Sequence, residues 1–111
     1  MPSKELVAAS TRPLILALLR SGESYGYEII ERVRGLSRGT LEWSDGMLYP
    51  VLRRLERDGL VGSRWVKADN GRPRRYYHLT DLGIEAEASG RSEWRRVDGA
   101  LKAAWRQASE P

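Results

Sequence analysis

The chain contains no cysteine. That excludes disulfide bonds, thiolate metal sites and cysteine nucleophiles. Histidine is almost as scarce: His78 stands alone, so no histidine cluster can form, and no nucleophile motif surrounds any serine that could work with it. A metal-sensing role would have to rest on carboxylates only. Enzyme chemistry is poorly supplied, and neither a cofactor nor a metal site is expected. Long apolar runs are missing too. The longest, Pro13 to Leu19, is far short of the roughly 20 residues that a membrane span needs. The opening MPSKELVAAS has one lysine and no extended apolar centre, which makes a poor signal peptide. No membrane partner and a cytoplasmic location are therefore expected. Internal repeats and low-complexity segments are absent as well.

What is present suits one compact domain: 111 residues, 41% hydrophobic and 31% charged. The net charge of +4 is unevenly spread. Residues 1–80 hold fourteen Lys/Arg against nine Asp/Glu, whereas residues 81–111 hold five against six. Arg64, Lys67, Arg72, Arg74 and Arg75 crowd one short segment against the single Asp69. A basic patch confined to one region suits a polyanion, although a solvated basic surface accounts for charge alone equally well.

Periodicity divides the chain into five elements. Ser10 or Thr11 caps a first helix over Thr11 to Arg20, with Pro13 in its first turn, where a missing N–H costs little. Leu6 and Val7 ahead of it suggest an arm or an extra turn that packs. After Ser21-Gly22, Ser24 caps a second helix, Tyr25 to Leu36, in which Ile29, Val33 and Leu36 follow helical spacing. Ser44 caps a third helix and Gly59 stops it at C′, while Leu48, Leu52 and Leu55 supply its apolar face. The period then changes. Leu60 to Lys67 and Arg74 to Leu79 read as strands around Asn70-Gly71, a turn pair in which both residues tolerate positive φ. Thr80 caps a fourth helix running toward Ala108, about 42 Å long. Along it Trp94, Val97, Leu101, Ala104 and Ala108 keep heptad spacing, and Trp105 widens the stripe. Gly90 in its middle costs about 1 kcal/mol relative to alanine and marks a bend or a close contact.

Three helices, a basic hairpin and a long helix make the plan of a winged helix-turn-helix, in which the third helix enters the major groove of DNA and the wing follows the backbone or the minor groove. The expected fold is mainly α with a small two-stranded antiparallel hairpin. Residues 1–80 form the DNA-binding part and residues 81–111 a C-terminal dimerisation helix. Pro50 is the anomaly. A helix that starts near Gly46 loses one hydrogen bond to it, and a helix that starts near Leu48 loses almost nothing. Two readings stay open: Gly46 and Pro50 shape the end that enters the groove, with Gly46 allowing close backbone approach, or Pro50 simply fits the core.

LILALLRSGESYGYEIIERV, GMLYPVLRRLERDGLV and GRPRRYYHLTDLG, in this order and spacing, resemble the PadR family of transcriptional regulators from Leu14 to Gly83. The resemblance implies a homodimeric bacterial repressor on a pseudo-palindromic operator, of the compact kind with one C-terminal helix. It also implies that a flat aromatic effector could sit in a tryptophan-lined cavity between subunits. On this reading the DNA contacts are Tyr25, Ser44, Gly46, Tyr49, Arg53, Arg54, Lys67, Arg72 and Arg74. Tyr27 is expected to face inward and Arg75 the opposite strand face from the contacts. One of Tyr76 and Tyr77 is expected on the core. Trp43 should be packed, and Trp65 should turn toward the core or the first helix. Trp94, Val97, Leu101 and Trp105 form the dimer interface or line the effector cavity. A protein-interaction module built on the same winged fold is the competing reading.

Overall fold

A computed structural model describes residues 2–109. The order is α1 (Lys4–Arg20), β1 (Ser24–Tyr25), α2 (Gly26–Leu36), α3 (Asp45–Arg57), β2 (Val61–Lys67), β3 (Pro73–Leu79) and α4 (Asp81–Ser109). Helices α1 to α3 enclose a core of Ile15, Leu19, Ile29, Val33, Leu48, Leu52 and Leu55, closed from the sheet side by Val61 and Tyr77. Trp43 is packed into it as expected, and so is Tyr77.

Helix α1 starts seven residues earlier than its expected cap. Ser3 is the cap, accepting from Leu6 N at 3.1 Å. Ser10 and Thr11 instead donate their hydroxyls back to the Val7 carbonyl, at 3.1 and 2.6 Å, inside the helix. Pro13 therefore lies in the helix interior and leaves the Ala9 carbonyl without its i+4 donor.

Ser24 is not a cap either. It is fully buried in β1, a two-residue strand pairing with Tyr76 and Tyr77 of β3, and its hydroxyl donates to Glu28 Oε1 at 2.5 Å. The sheet is thus three-stranded, in the order β1-β3-β2, and not a bare hairpin. Two residues are too few for any periodicity to announce them.

Helix α3 begins as expected, with Ser44 Oγ accepting from Met47 N. Its end is a full Schellman closure: Leu60 N donates to the Leu55 carbonyl at 2.9 Å and Gly59 N to that of Glu56 at 3.0 Å, with Gly59 at φ +78°. Thr80 joins this turn to α4. Its hydroxyl donates to the Gly59 carbonyl at 2.6 Å and accepts from Gly83 N at 3.1 Å. Gly83 has no alternative here, because a Cβ would stand 1.9 Å from the Leu60 carbonyl oxygen.

The hairpin pairs Val61↔Leu79 through Lys67↔Pro73. Its tip differs from the expected two-residue turn. Ala68 N donates to the Arg72 carbonyl and Gly71 N to that of Ala68, both at 2.8 Å, and Gly71 has φ +82° while Asn70 stays at negative φ. This is a three-residue loop closed by a left-handed glycine. Asn70 contributes its side chain, whose Oδ1 accepts from Arg72 N.

Helix α4 is about 43 Å long. Its first ten residues pack against the body, where Glu87 is 6% exposed. Every described residue from Arg91 onward is exposed. The helix runs unbroken through Gly90, and a Cβ there would meet nothing within 4 Å, so no close contact within this chain requires the glycine. The projecting rod raises the radius of gyration to 16.2 Å, against about 13 Å for a compact chain of this length. Among the described residues no helix is long and apolar enough to cross a membrane.

Candidate nucleic-acid interface

Strand alternation and the burial of helix α3 decide what the outer surface offers. Leu48, Leu52 and Leu55 turn inward, so Arg53, Arg54 and Arg57 turn outward and are exposed. In the hairpin, Val61, Ser63 and Trp65 share a face with Leu79, Tyr77 and Arg75. Near its base that face covers the core. Toward the tip it runs past the core and overhangs α3, which leaves a cleft between the two.

The cleft has a volume of about 470 Å³ and is lined by Tyr25, Tyr27, Tyr49, Arg53, Trp65, Arg74, Arg75 and Tyr77, with Gly26 and Pro73. Four of the sequence-predicted residues therefore meet there: Tyr25, Tyr49, Arg53 and Arg74. The Tyr49 ring lies across the start of α2, where a Cβ on Gly26 would stand 2.3 Å from its hydroxyl oxygen. Glycine at 26 lets α3 dock close to α2 and leaves Tyr49 half-buried. Arg74 stacks its guanidinium over Tyr25, 4.5 Å from the ring centroid, and Tyr25 meets Tyr76 edge-on.

The remaining predicted residues lie outside that cleft. Ser44 and Gly46 form the exposed N-terminal end of α3. A Cβ on Gly46 would meet only Ser44 Oγ, at 3.9 Å, so no part of this chain makes the close approach that its sequence position suggests. Arg54 is exposed on another face, and Lys67 and Arg72 are exposed at the wing tip. The question of Pro50 resolves in part: it is the sixth residue of α3 and is exposed, so it does not fill the core, and it deprives the Gly46 carbonyl of a donor.

Three residues behave differently from expectation or were missed. Tyr27 faces outward, 65% exposed, because Ile29, Ile30 and Val33 take the inner face of α2. Trp65 is 66% exposed and packs on neither the core nor α1. Its strand face is the inner one, but the core ends before it; alternation gives the face and not the point where the core stops. Arg75, on the face opposite Arg74 as expected, belongs to the cleft lining all the same. Arg64, although exposed, is engaged in a bidentate pair with Glu23, whose carboxyl those hydrogen bonds hold below its ordinary range.

A second concavity, about 680 Å³, lies between α1 and α4. Ala8, Ala9, Pro13 and Leu16 line one side, and Ala86, Gly90 and Trp94 the other. Trp94 belongs to it, whereas Val97, Leu101 and Trp105 continue the exposed apolar stripe beyond it. Glu87 closes the inner end through hydrogen bonds from Arg91 and an ion pair with Arg20 at 3.9 Å. The Arg91 hydrogen bonds hold the Glu87 carboxyl below its ordinary value despite burial. Among the described residues no three His, Asp or Glu side chains come together as metal ligands do.

Comparison with known proteins fits this architecture. Residues 15–89 match the family model described as the transcriptional regulator PadR-like family. The chain is 39% identical over 83 residues to the transcriptional regulator Rv3488 of Mycobacterium tuberculosis, covering 75% of this chain and 74% of that protein. It superposes on a transcriptional regulator from Clostridium thermocellum with a TM-score of 0.81 and 27% identity, over 93% of this chain and 97% of the other. It also superposes on a PadR family transcription regulator from Clostridium difficile with a TM-score of 0.76 and 28% identity, over 86% and 98%. Such proteins are transcriptional regulators and not enzymes. With its three-helix core, its wing and its long final helix, the chain belongs to the PadR-like family of transcriptional regulators.

Proposed function

We propose that the chain is a sequence-specific DNA-binding repressor that acts as a homodimer on a pseudo-palindromic operator. The observation that carries this reading is that α3, through Tyr49 and Arg53, and the wing, through Trp65 and Arg74, line one cleft, with Lys67 and Arg72 exposed at the wing tip. Helix α3 reads base edges in the major groove, with Ser44 and the free N–H groups of its first turn gripping a phosphate. Arg72 follows the tip loop and precedes Pro73, so it leaves a stiff segment and reaches phosphate or a narrow minor groove. Residues 1–80 serve as the DNA-binding part. Residues from 81 onward serve for pairing, through Trp94, Val97, Leu101 and Trp105. Two α3 helices about 34 Å apart then meet successive major-groove faces, and repression follows from occlusion. The cell compartment is the cytoplasm.

A small aromatic effector releases the dimer from DNA by favouring an incompetent arrangement of the two protomers. The groove that holds Trp94 supports this part of the reading, and Trp94 is the better placed of the two tryptophans. A fluorescence titration with small aromatic compounds tests it: quenching that disappears in Trp94→Leu supports the site, and unchanged quenching in that variant rejects it.

The competing reading is a protein-interaction module, and the outward Tyr27 and Trp65 would suit one. Gel-shift with DNA from upstream of the chain's own coding region separates the two. A discrete, competitor-resistant shift supports the repressor. No shift even in dilute buffer favours the interaction module.

A further inference from the structure

The hairpin beyond Tyr77 has no core beneath it, and two strands alone are marginal in water. Something else must fix its angle to α3 if both are to touch one duplex in register. Glu56, near the end of α3, supplies the only side-chain hydrogen bonds between that helix and the hairpin among the described residues. Its Oε1 accepts from Arg75 Nη2 at 2.8 Å and its Oε2 from the Ser63 hydroxyl at 2.6 Å. Arg75 Nε in turn donates to Ser63 Oγ at 2.9 Å. The triangle is closed: one carboxylate, one guanidinium and one hydroxyl satisfy each other across three elements. Aromatic rings frame the guanidinium, with the Tyr77 centroid at 5.6 Å and that of Trp65 at 5.9 Å.

We propose that Arg75 is a positioning residue for operator recognition, anchored by Glu56 and Ser63, which locks the wing to α3 so that helix and wing read DNA as one rigid surface. This rests on the DNA-binding reading above. An exposed ion pair by itself contributes little to stability. The triangle differs in that it sets geometry: a recognition surface must be held within about 0.5 Å of its productive arrangement to discriminate. Glu56 also neutralises Arg75 beside Arg53 and Arg74. Without that carboxylate the cleft keeps three uncompensated cations, and the freed Arg75 can reach for any phosphate. Loss of Glu56 should therefore cost specificity without costing affinity for random sequence.

The test uses a duplex selected by the full-length wild-type chain from a random pool, and a scrambled duplex of equal length. Selection of no sequence by wild type would overturn the DNA-binding reading itself, independently of the variants. Given a selected duplex, Glu56→Gln should lower the ratio of selected to scrambled affinity about tenfold, with scrambled binding equal or tighter and a salt slope steeper by about two ions, one for each Arg75 of the dimer. Arg75→Lys keeps the charge but cannot span both partners, and should lower the ratio comparably. Ser63→Ala, which changes no charge, should lower it about threefold, and it carries the test should Glu56→Gln fail to melt cooperatively. A ratio within twofold of wild type in folded variants would overturn the proposal. So would parallel loss of selected and scrambled binding.

Discussion

Arg72 is held by its backbone while its side chain is free. Its N–H donates to Asn70 Oδ1 and its carbonyl accepts from Ala68, and the guanidinium is exposed. Arg72→Ala should therefore weaken operator binding and reduce the magnitude of the salt slope by about two, one contact from each wing, with an unchanged melting temperature; an unchanged slope in a salt-titrated gel-shift would count against the wing contact. Gly83 illustrates the opposite kind of residue. The Leu60 carbonyl leaves no room for a methyl group, so Gly83→Ala should destabilise the fold by about 2 kcal/mol or more, measured by urea denaturation. Glu87 has a pH signature. Its folded pKa lies below its ordinary 4.5, first through the Arg91 hydrogen bonds. Its pairing stabilises the chain fully at neutral pH, and that contribution is lost as pH falls below the ordinary value through the lowered one. Glu87→Gln should consequently show a smaller drop in melting temperature between pH 7 and acid than wild type does. Little of this was legible in sequence. Nothing local to Gly83 or Gly26 marks them as close contacts, and only the fold reveals the carbonyl or ring that presses on them.

Elements were more legible than residues, for a physical reason. Helix α3 follows from three leucines at helical spacing, a serine cap and a stopping glycine, all local signals, and each works as expected. The start of α1 is hidden in the sequence because Ser10 and Thr11 are good caps by type, while the true cap, Ser3, precedes turns with a weak apolar signal. Strand β1 depends wholly on pairing with β3, a long-range contact that no window of sequence contains. Pro50 joins element to function. It is exposed and withholds a donor from Gly46, so Pro50→Ala restores one helical hydrogen bond. An interior proline costs about 3 kcal/mol, and the freer unfolded chain returns up to about 1. The variant should gain roughly 2 kcal/mol in urea denaturation and lose operator affinity if the loosened turn shapes the reading end. Tighter or equal binding would show that the proline has no part in recognition.

On the scale of the molecule, the shape follows from a change of environment along one helix. The first ten residues of α4 bury Gly83 and Glu87 against α1 and the α3–β2 turn, and the remainder leaves the body with Trp94, Val97, Leu101 and Trp105 uncovered. The heptad spacing of that stripe was visible in the sequence. Where the packed part stops was not, because nothing in the sequence around Gly90 and Arg91 shows where α1 ceases to cover the helix. An apolar seam on a rod of this length is suited to a second copy of the chain, and under the proposed function both protomers are then needed to span the operator. Leu101→Glu places a charge in the middle of the seam and should yield monomers in sedimentation, with operator binding lost and the melting of the winged part retained. The most direct measurement is a titration of the selected duplex at several salt concentrations, read for stoichiometry and slope together. Two chains per duplex are expected, with log K falling against log salt at a slope of about −5, as roughly six phosphate contacts from paired wings require. One chain per duplex, or an affinity indifferent to salt, would contradict the account.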